Sequence, residues 1–171
     1  MKNIVPITIT ILVVLLVVSL ILILIPKDNS SISYETFRAK TEIGTFFNAV
    51  INEKYEKAVK HVSYFEAESE SYIEKTEDLD TMWVERIQAL SNKNISLLEV
   101  RNLKVKTVDG AVVAHAKLVI NDVGATVEIE SDIELYVNEN TSIFEIKYLI
   151  KDVTNEEIRL EIEDALSGIV K

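Results

Sequence analysis

The clearest structural pattern in the chain lies in residues 111–137, which read AVVAHAKLVINDVGATVEIESDIELYV. Apolar side chains occupy alternate positions in 111–121 and again in 125–137. Because successive side chains of a β-strand point to opposite faces, each run predicts a strand with one buried face. Asp109-Gly110 before the first run and Asn121–Gly124 between the two are typical of hairpin turns. These residues therefore predict neighbouring antiparallel strands.

Two further alternating runs flank this pair. The later one covers residues 142–151 and keeps a single phase. The earlier one, residues 95–107, changes phase: Leu98 and Val100 share one face, and the apolar residues that follow lie on the other. A β-bulge near Arg101-Asn102 would restore the phase and would also bend the sheet. We expect a curved antiparallel sheet of four strands.

Helical patterns precede and follow the strands. From residue 34 onward an apolar stripe recurs at steps of three and four residues. It consists of Phe47, Val50, Ile51, Tyr55, Ala58, Val59 and Val62. The acidic segment 66–80 is interpreted as a solvated helix or connector. Thr154–Glu157 matches a capping box and predicts a C-terminal helix that ends near Gly168.

A shorter helix is predicted at Thr81–Ser91, with Asp80 or Thr81 as its N-cap. Its inward-facing residues are expected to be Leu79, Met82, Trp83, Ile87 and Leu90. Helices followed by a strand meander predict an α+β domain in which N-terminal helices cover one face of the sheet.

The N-terminal segment predicts a membrane anchor. Residues 4–25 contain no charged side chain, and as a helix they would span roughly 33 Å, about the thickness of the hydrocarbon core. A cleaved signal peptide is the alternative, but the apolar run is long and no small-x-small site follows it directly. We therefore predict a single-pass anchor at 1–26, a linker at 27–33 and a domain at 34–171. Lys2 favours a cytoplasmic N-terminus in the cell membrane and a domain on the outer side.

Charge and composition exclude several classes of function. Residues 28–171 hold all 28 acidic residues and 16 of the 18 basic ones, a net charge of −12. A nucleic-acid binder needs clustered Lys and Arg, so that class is excluded. The same charge disfavours docking on anionic lipid head groups. Because the chain contains no cysteine, it has neither disulfides nor thiolate ligands.

The segment Phe46–Ala58, FFNAVINEKYEKA, resembles the first helix of the nuclear-transport-factor-two-like (cystatin-like) superfamily. There a paired aromatic precedes a short polar stretch and Tyr-x-x-Ala. With the strand order, the resemblance covers about residues 34–150 and implies a cone-shaped fold. That fold hosts enzymes, binding modules and assembly factors, so the resemblance implies no single activity.

Candidate functional residues are few. Enzymes of this superfamily place a carboxylate or a His-Asp pair inside the cone, whereas the inward rows here hold Val, Ile, Leu, Ala and Phe. We therefore predict no catalytic residue, no metal site and no cofactor. Residues able to contact a small apolar ligand inside the cone are Phe47, Tyr55, Trp83 and Tyr148.

The remaining titratable patterns are interpreted structurally. His115 is expected on the outer face of the sheet, and His61 is expected to cap the end of the first helix as a cation. A row of carboxylates at alternate positions is expected to form a solvated outer face, paired with lysines of the neighbouring strands. The row is Glu128, Glu130, Asp132 and Glu134, and the lysines are Lys117, Lys147 and Lys151.

Three functions are consistent with this pattern. The first is a non-catalytic protein-binding or assembly module of a cell-envelope system, whose layout resembles the bitopic assembly component of type IV secretion machines. Its partners would be the lipid bilayer, through residues 4–25, and other membrane or envelope proteins, with homo-oligomers left open. The second is a tethered module for a small apolar ligand. The third is an isomerase-like or cyclase-like enzyme of the superfamily.

The anchor hypothesis predicts that the mature chain keeps its first residues and stays with the membrane after an alkaline carbonate wash. Mass spectrometry of the N-terminus and fractionation of the cells measure both properties. A freely released protein that starts beyond residue 26 would contradict the anchor.

Overall fold

We obtained a computed structural model of the chain, which describes residues 34–108, 111–137, 144–150 and 156–170. The chain divides into two units between Ser33 and Tyr34, and all described residues lie in the second. The predicted anchor, the linker, the Asp109-Gly110 turn and the start of the capping box lie outside the described residues. Within the described part, no helix combines the length and the apolar character needed to cross a bilayer.

The described residues form an α+β domain. Its helices are α1 (Tyr34–Ile51), α2 (Tyr55–Ala58), a 3₁₀ turn (Val59–His61), α3 (Glu77–Asn92) and α4 (Glu156–Leu166). Its strands are β1 (Tyr64–Glu66), β2 (Tyr72–Ile73), β3 (Ile95–Val108), β4 (Ala111–Asp122), β5 (Ala125–Val137), β6 (Phe144–Ile150) and β7 (Ile169–Val170). The predicted α+β class and the C-terminal helix are confirmed, whereas the predicted transmembrane helix lies outside the described residues.

Four long strands form the main sheet in the order β3-β4-β5-β6, with every neighbouring pair antiparallel. The predicted bulge is confirmed, because the register of β3 shifts between Arg101 and Lys104 and Asn102 has φ 56°. A second shift, between Leu97 and Glu99, was not predicted. It places Leu98 on the surface, so the expectation that Leu98 shares the face of Val100 is wrong.

The inner face of the sheet is mainly apolar, with Ser131 as a buried polar residue opposite Ala116. Small and aliphatic side chains of β4 and β5 are buried there, and helix α1 packs against them. The strand residues are Val112, Ala114, Ala116, Leu118, Ile120, Ile129, Ile133 and Leu135, and the helix residues are Ala39, Ile43, Phe46, Phe47 and Val50. The helix residues recur at three- and four-residue steps, so one stripe of α1 covers the sheet.

The prediction that the stripe continues on a single helix is wrong. Helix α1 ends at Ile51, and Glu53 adopts a left-handed φ of 55°. The Lys54 amide donates to the Ala49 carbonyl at 2.8 Å, which closes the turn. The chain then restarts as the short helix α2, so Tyr55 and Ala58 enter the core from a separate element.

Residues 64–73 form a β-hairpin, where the sequence indicated only a solvated helix or connector. The hairpin joins β7 to form a second sheet in the order β2-β1-β7, with Phe65 opposite Ile169 in a parallel pair. Lys75 holds the end of the hairpin, because its Nζ donates to the carbonyls of Val59 at 2.6 Å and Val62 at 3.0 Å. Strands of two and three residues are too short to show the alternation of apolar and polar side chains that predicts a strand.

Helix α3 begins one turn earlier than predicted. Thr76 is the N-cap, and its hydroxyl accepts a hydrogen bond from the Leu79 amide at 3.3 Å. The proposed caps, Asp80 and Thr81, lie inside the helix. Trp83, Ile87 and Leu90 are buried as predicted, Leu79 is half-buried, and Met82 faces solvent, contrary to the prediction.

The chain after α4 returns to the hairpin through Gly168. Its carbonyl accepts from the Phe65 amide at 3.0 Å and its amide donates to the Lys147 carbonyl at 2.9 Å. A Cβ atom at this position would lie 1.6 Å from the Ser63 carbonyl oxygen. Arg86 completes the junction, donating to the carbonyls of Ser167 at 2.5 Å and Ile169 at 2.9 Å.

Replacing Gly168 by alanine should therefore separate the two backbones and destabilise the domain. We expect Gly168→Ala to cost about 3 kcal/mol or more and to lower Tm by roughly 10 °C. Gly44→Ala is the matched control, since a Cβ there meets nothing within 4 Å inside helix α1. The control should raise stability by up to about 1 kcal/mol. Thermal unfolding followed by circular dichroism measures both, and equal Tm values would contradict the close approach.

Candidate functional site

Two of the four predicted ligand-binding residues belong to the hydrophobic core. Phe47 and Trp83 are buried, and the ring of Phe46 lies between them. Its centroid is 5.1 Å from that of Phe47 and 6.0 Å from that of Trp83. These rings belong to the core shared by the helices and the sheet.

Tyr148 lies on β6. The backbone of Tyr148 is opposite Glu134, whereas Ile146 is opposite Leu135, so the register of the two strands shifts at Lys147. The side chain of Tyr148 lies outside the described residues, and its predicted contact with a ligand stays a prediction.

Tyr55 is the one member of the predicted set that lines a cavity in the described part of the domain. The cavity holds about 170 Å³ and lies where α1, α3, α4 and the start of β3 converge. Its wall is mainly aliphatic, with Glu53, Ser91 and Ser96 as polar members. Burial raises the pKa of Tyr55, and Glu53 adds to the rise. Ligand pockets usually hold about 300–1,000 Å³, so this crevice suits only a benzene-sized group.

Two carboxylates, Glu145 and Glu163, are buried, which the strand pattern did not predict. The hydroxyl of Ser63 donates to Glu145. Glu145 is opposite Tyr136 in the sheet, and the rings of Phe65 and Tyr72 contact Tyr136. The unpredicted hairpin thus covers this end of the outer face, which explains the burial of a residue placed on a polar row.

His115 occupies its predicted element, whereas His61 lies in the 3₁₀ turn that follows α2 and not at the end of the first helix. His115 lies on the outer face, with Nδ1 2.8 Å from Asp132 Oδ1 and Nε2 3.1 Å from Glu130 Oε2. His61 ends the 3₁₀ turn, but burial lowers its pKa. The neutral form is therefore favoured, against the cationic cap that the sequence suggested. The described residues contain no group of three or more His, Cys, Asp or Glu side chains able to hold a metal.

The acidic row on the outer face is paired with bases, as predicted. Lys117 lies 3.1 Å from Glu128, and Lys147 lies 3.1 Å from Glu134. The carboxylates of Glu128 and Glu130 raise the pKa of Lys117. Arg101 adds a contact that was not predicted, 2.7 Å to Glu128, and so bridges β3 and β5. Lys151 lies outside the described residues. This face is neutralised internally and offers few unpaired charges.

A second acidic surface lies between α2, the 3₁₀ turn and α3. We name it the acidic groove and define it by Glu56, Val59, Glu77, Asp80, Thr81, Val84, Glu85 and Gln88. It encloses about 460 Å³, with Val59 and Val84 as apolar members among the polar side chains. A depression of about 320 Å³ continues it toward Glu53 and shares Glu56 and Gln88.

The carboxylates of the acidic groove differ in their contacts. Asp80 accepts a hydrogen bond from the Tyr64 hydroxyl at 2.8 Å and lies 3.6 Å from Lys75. Glu56, Glu77 and Glu85 form no ion pair with any described residue. Sequence reasoning missed this surface because Glu56 joins the others only through the unpredicted break after α1. The signal available was the excess of acids in 66–80.

Comparison of the chain with protein-family models, curated proteins and solved structures gave no match. The resemblance to the nuclear-transport-factor-two-like superfamily therefore stays a prediction. Function has to be argued from the surfaces described above.

The Tyr64–Asp80 contact predicts a pH dependence. Burial and the hydrogen bond to Asp80 raise the pKa of Tyr64, so the folded chain keeps the proton. The unfolded chain loses it near pH 10. This stabilisation is therefore complete below about pH 10 and decreases as the pH rises further.

We expect Tyr64→Phe to cost about 1–3 kcal/mol at pH 7, because a hydrogen bond to a charged group is lost. The variant should also lose less stability than the wild type above about pH 10. Denaturant unfolding from about pH 7 to pH 11 measures both effects. Tyr34→Phe, at an exposed tyrosine, is the control and should change neither. Parallel pH profiles of Tyr64→Phe and the wild type would contradict the assignment.

Proposed function

We propose that this protein is a membrane-anchored, extracytoplasmic, non-catalytic module that binds other membrane or envelope proteins. The acidic groove carries the proposal, and its occupant would be a basic segment of the partner. Three of its carboxylates form no ion pair with any described residue, in contrast to the internally paired acids of the outer sheet face. A groove that keeps unpaired carboxylates beside apolar side chains is complementary to lysine or arginine stems with charged ends.

The size of the acidic groove limits the size of the partner segment that it can bind. A volume of about 460 Å³ accommodates a few side chains rather than a folded domain. A helical turn or a short extended segment with two basic residues and one apolar residue would pair with the carboxylates of the groove and cover its apolar members, Val59 and Val84. Exposed charge pairs are individually weak and are screened by salt, so this contact should be salt-dependent.

Anchoring would compensate for a weak contact. A domain held at the membrane by residues 4–25 meets membrane-bound partners at a raised effective concentration. A partner that is itself fixed in or near the membrane would gain most from this effect. It also accounts for a binding surface smaller than those of freely diffusing complexes.

A tethered module for a small apolar ligand is the second candidate, and the crevice lined by Tyr55 is the observation that favours it. Its volume of about 170 Å³ admits only a small group, such as an alkyl or phenyl end. A superfamily enzyme is the third candidate and would have to use one of the two buried carboxylates. Neither alternative uses the unpaired acids of the groove.

The proposal predicts a charge-dependent crosslink in cells that make the protein. A photo-crosslinking amino acid at Gln88 should capture one or two discrete membrane or envelope proteins. The double variant Glu56→Lys/Glu85→Lys should lose most of this product, since the groove then repels a basic segment. The control Glu68→Lys/Glu74→Lys makes the same change in net charge at exposed positions outside the groove and should keep the product.

Circular dichroism spectra and Tm values of the variants must agree, so that unfolding does not explain the loss. Recovery of the monomer alone, or a product that both double variants retain, would contradict the proposal. A product made only of two copies of this chain would show that the chain associates with itself, and it would overturn the proposal of a basic partner protein.

A further inference from the structure

The first turn of α1 presents two aromatic rings to solvent. Tyr34 is 78 % exposed and Phe37 is 62 % exposed. Residues three apart lie on the same side of a helix, so the two rings share one surface. The stripe of α1 that enters the core begins only at Ala39, which is fully buried. We call Tyr34 and Phe37 the aromatic turn.

The local charge around the aromatic turn differs from that of the whole domain. Residues 34–42 of α1 carry Glu35, Arg38, Lys40 and Glu42, so this stretch has no net charge. Arg38 and Glu42 form an ion pair at 3.0 Å. The repulsion that a strongly acidic domain would meet at a lipid surface is therefore weak at this end of the helix.

We infer that the aromatic turn lies in the head-group region of the outer leaflet and fixes the domain at the membrane surface. This inference depends on the proposed anchor. Only residues 26–33 separate the apolar run from Tyr34, and eight residues reach at most about 28 Å. Tyrosine rings favour the membrane–water interface, because the ring is apolar and the hydroxyl keeps its contact with water.

A lipid surface explains both the location and the chemistry of these rings. A site for a basic protein segment would require unpaired acids, and the acids here are balanced. Tyr34, the described residue nearest in sequence to the predicted anchor, is instead aromatic. The bilayer is the one partner that the anchor would bring to this turn in every molecule.

The absence of cysteine allows a direct test. The full-length chain, with a single Phe37→Cys substitution carrying a nitroxide label, is reconstituted into phosphatidylcholine vesicles. Electron paramagnetic resonance then compares the accessibility of the label to oxygen, which enters lipid, and to a water-soluble nickel chelate. The ratio of oxygen to nickel accessibility should be severalfold higher at Phe37→Cys than at Val123→Cys. Val123 is a matched control, because it is an exposed apolar residue, 71 % exposed, in the β4–β5 turn.

A label at Leu15→Cys separates the two proposals. The label at Leu15 could lie deep in the lipid while the ratio of oxygen to nickel accessibility at Phe37 equals that at Val123. This result would overturn the inference and would still support the anchor. Water accessibility at Leu15 would overturn the anchor and, with it, the inference. Dipolar broadening at Phe37 that disappears on dilution with unlabelled protein would identify a second copy as the occupant and overturn the lipid assignment.

A second measurement tests the rings themselves. A label at Lys40→Cys should become more accessible to the nickel chelate when Tyr34→Ser and Phe37→Ser are added, because the turn then leaves the interface. Unchanged accessibility at Lys40 would show that the rings do not hold the helix there and would contradict the inference.

Discussion

Packing of the α1 stripe on the inner face of the main sheet is the contact on which the rest of the domain depends. The small side chains of Ala114 and Ala116 on β4 share one buried core with Phe46 and Phe47 of α1 and Trp83 of α3. Aromatic side chains bury large apolar areas and dominate core energetics. The interior between the helices and the sheet is therefore occupied mainly by the chain's own side chains.

The long elements were predictable from sequence for a physical reason. A strand such as β5 repeats its apolar residues often enough to define a face, and a phase change in β3 indicated a real bulge. The second sheet was not predictable, since β1, β2 and β7 are shorter than one full alternation. Its position depends on contacts between residues far apart in sequence, such as Phe65 with Ile169, and on the fit of Gly168 against Ser63.

The candidate sites illustrate the same limit. Apolar periodicity identified Phe47 and Trp83 as inward-facing, but it could not indicate whether the space between them was empty or filled. A single inserted residue, Lys147, shifts the register of β6 against β5, and alternation alone does not indicate such a shift. The acidic groove arises because a left-handed residue, Glu53, ends α1 and lets the next short helix present Glu56 beside α3. Tertiary placement, not residue type, distinguishes its carboxylates from the paired acids of the outer face.

The parallel pairing of β1 with β7 has a consequence for the order of folding. Strand β1 precedes the entire main sheet in the chain, whereas its partner follows it. Closing so long a loop is entropically costly and slow compared with forming hairpins between sequential strands. The meander can therefore assemble while the small sheet is still incomplete. Until the segment around Gly168 docks, the Arg86 guanidinium and the Phe65 amide lack their carbonyl acceptors, so this junction is the last part of the domain to close.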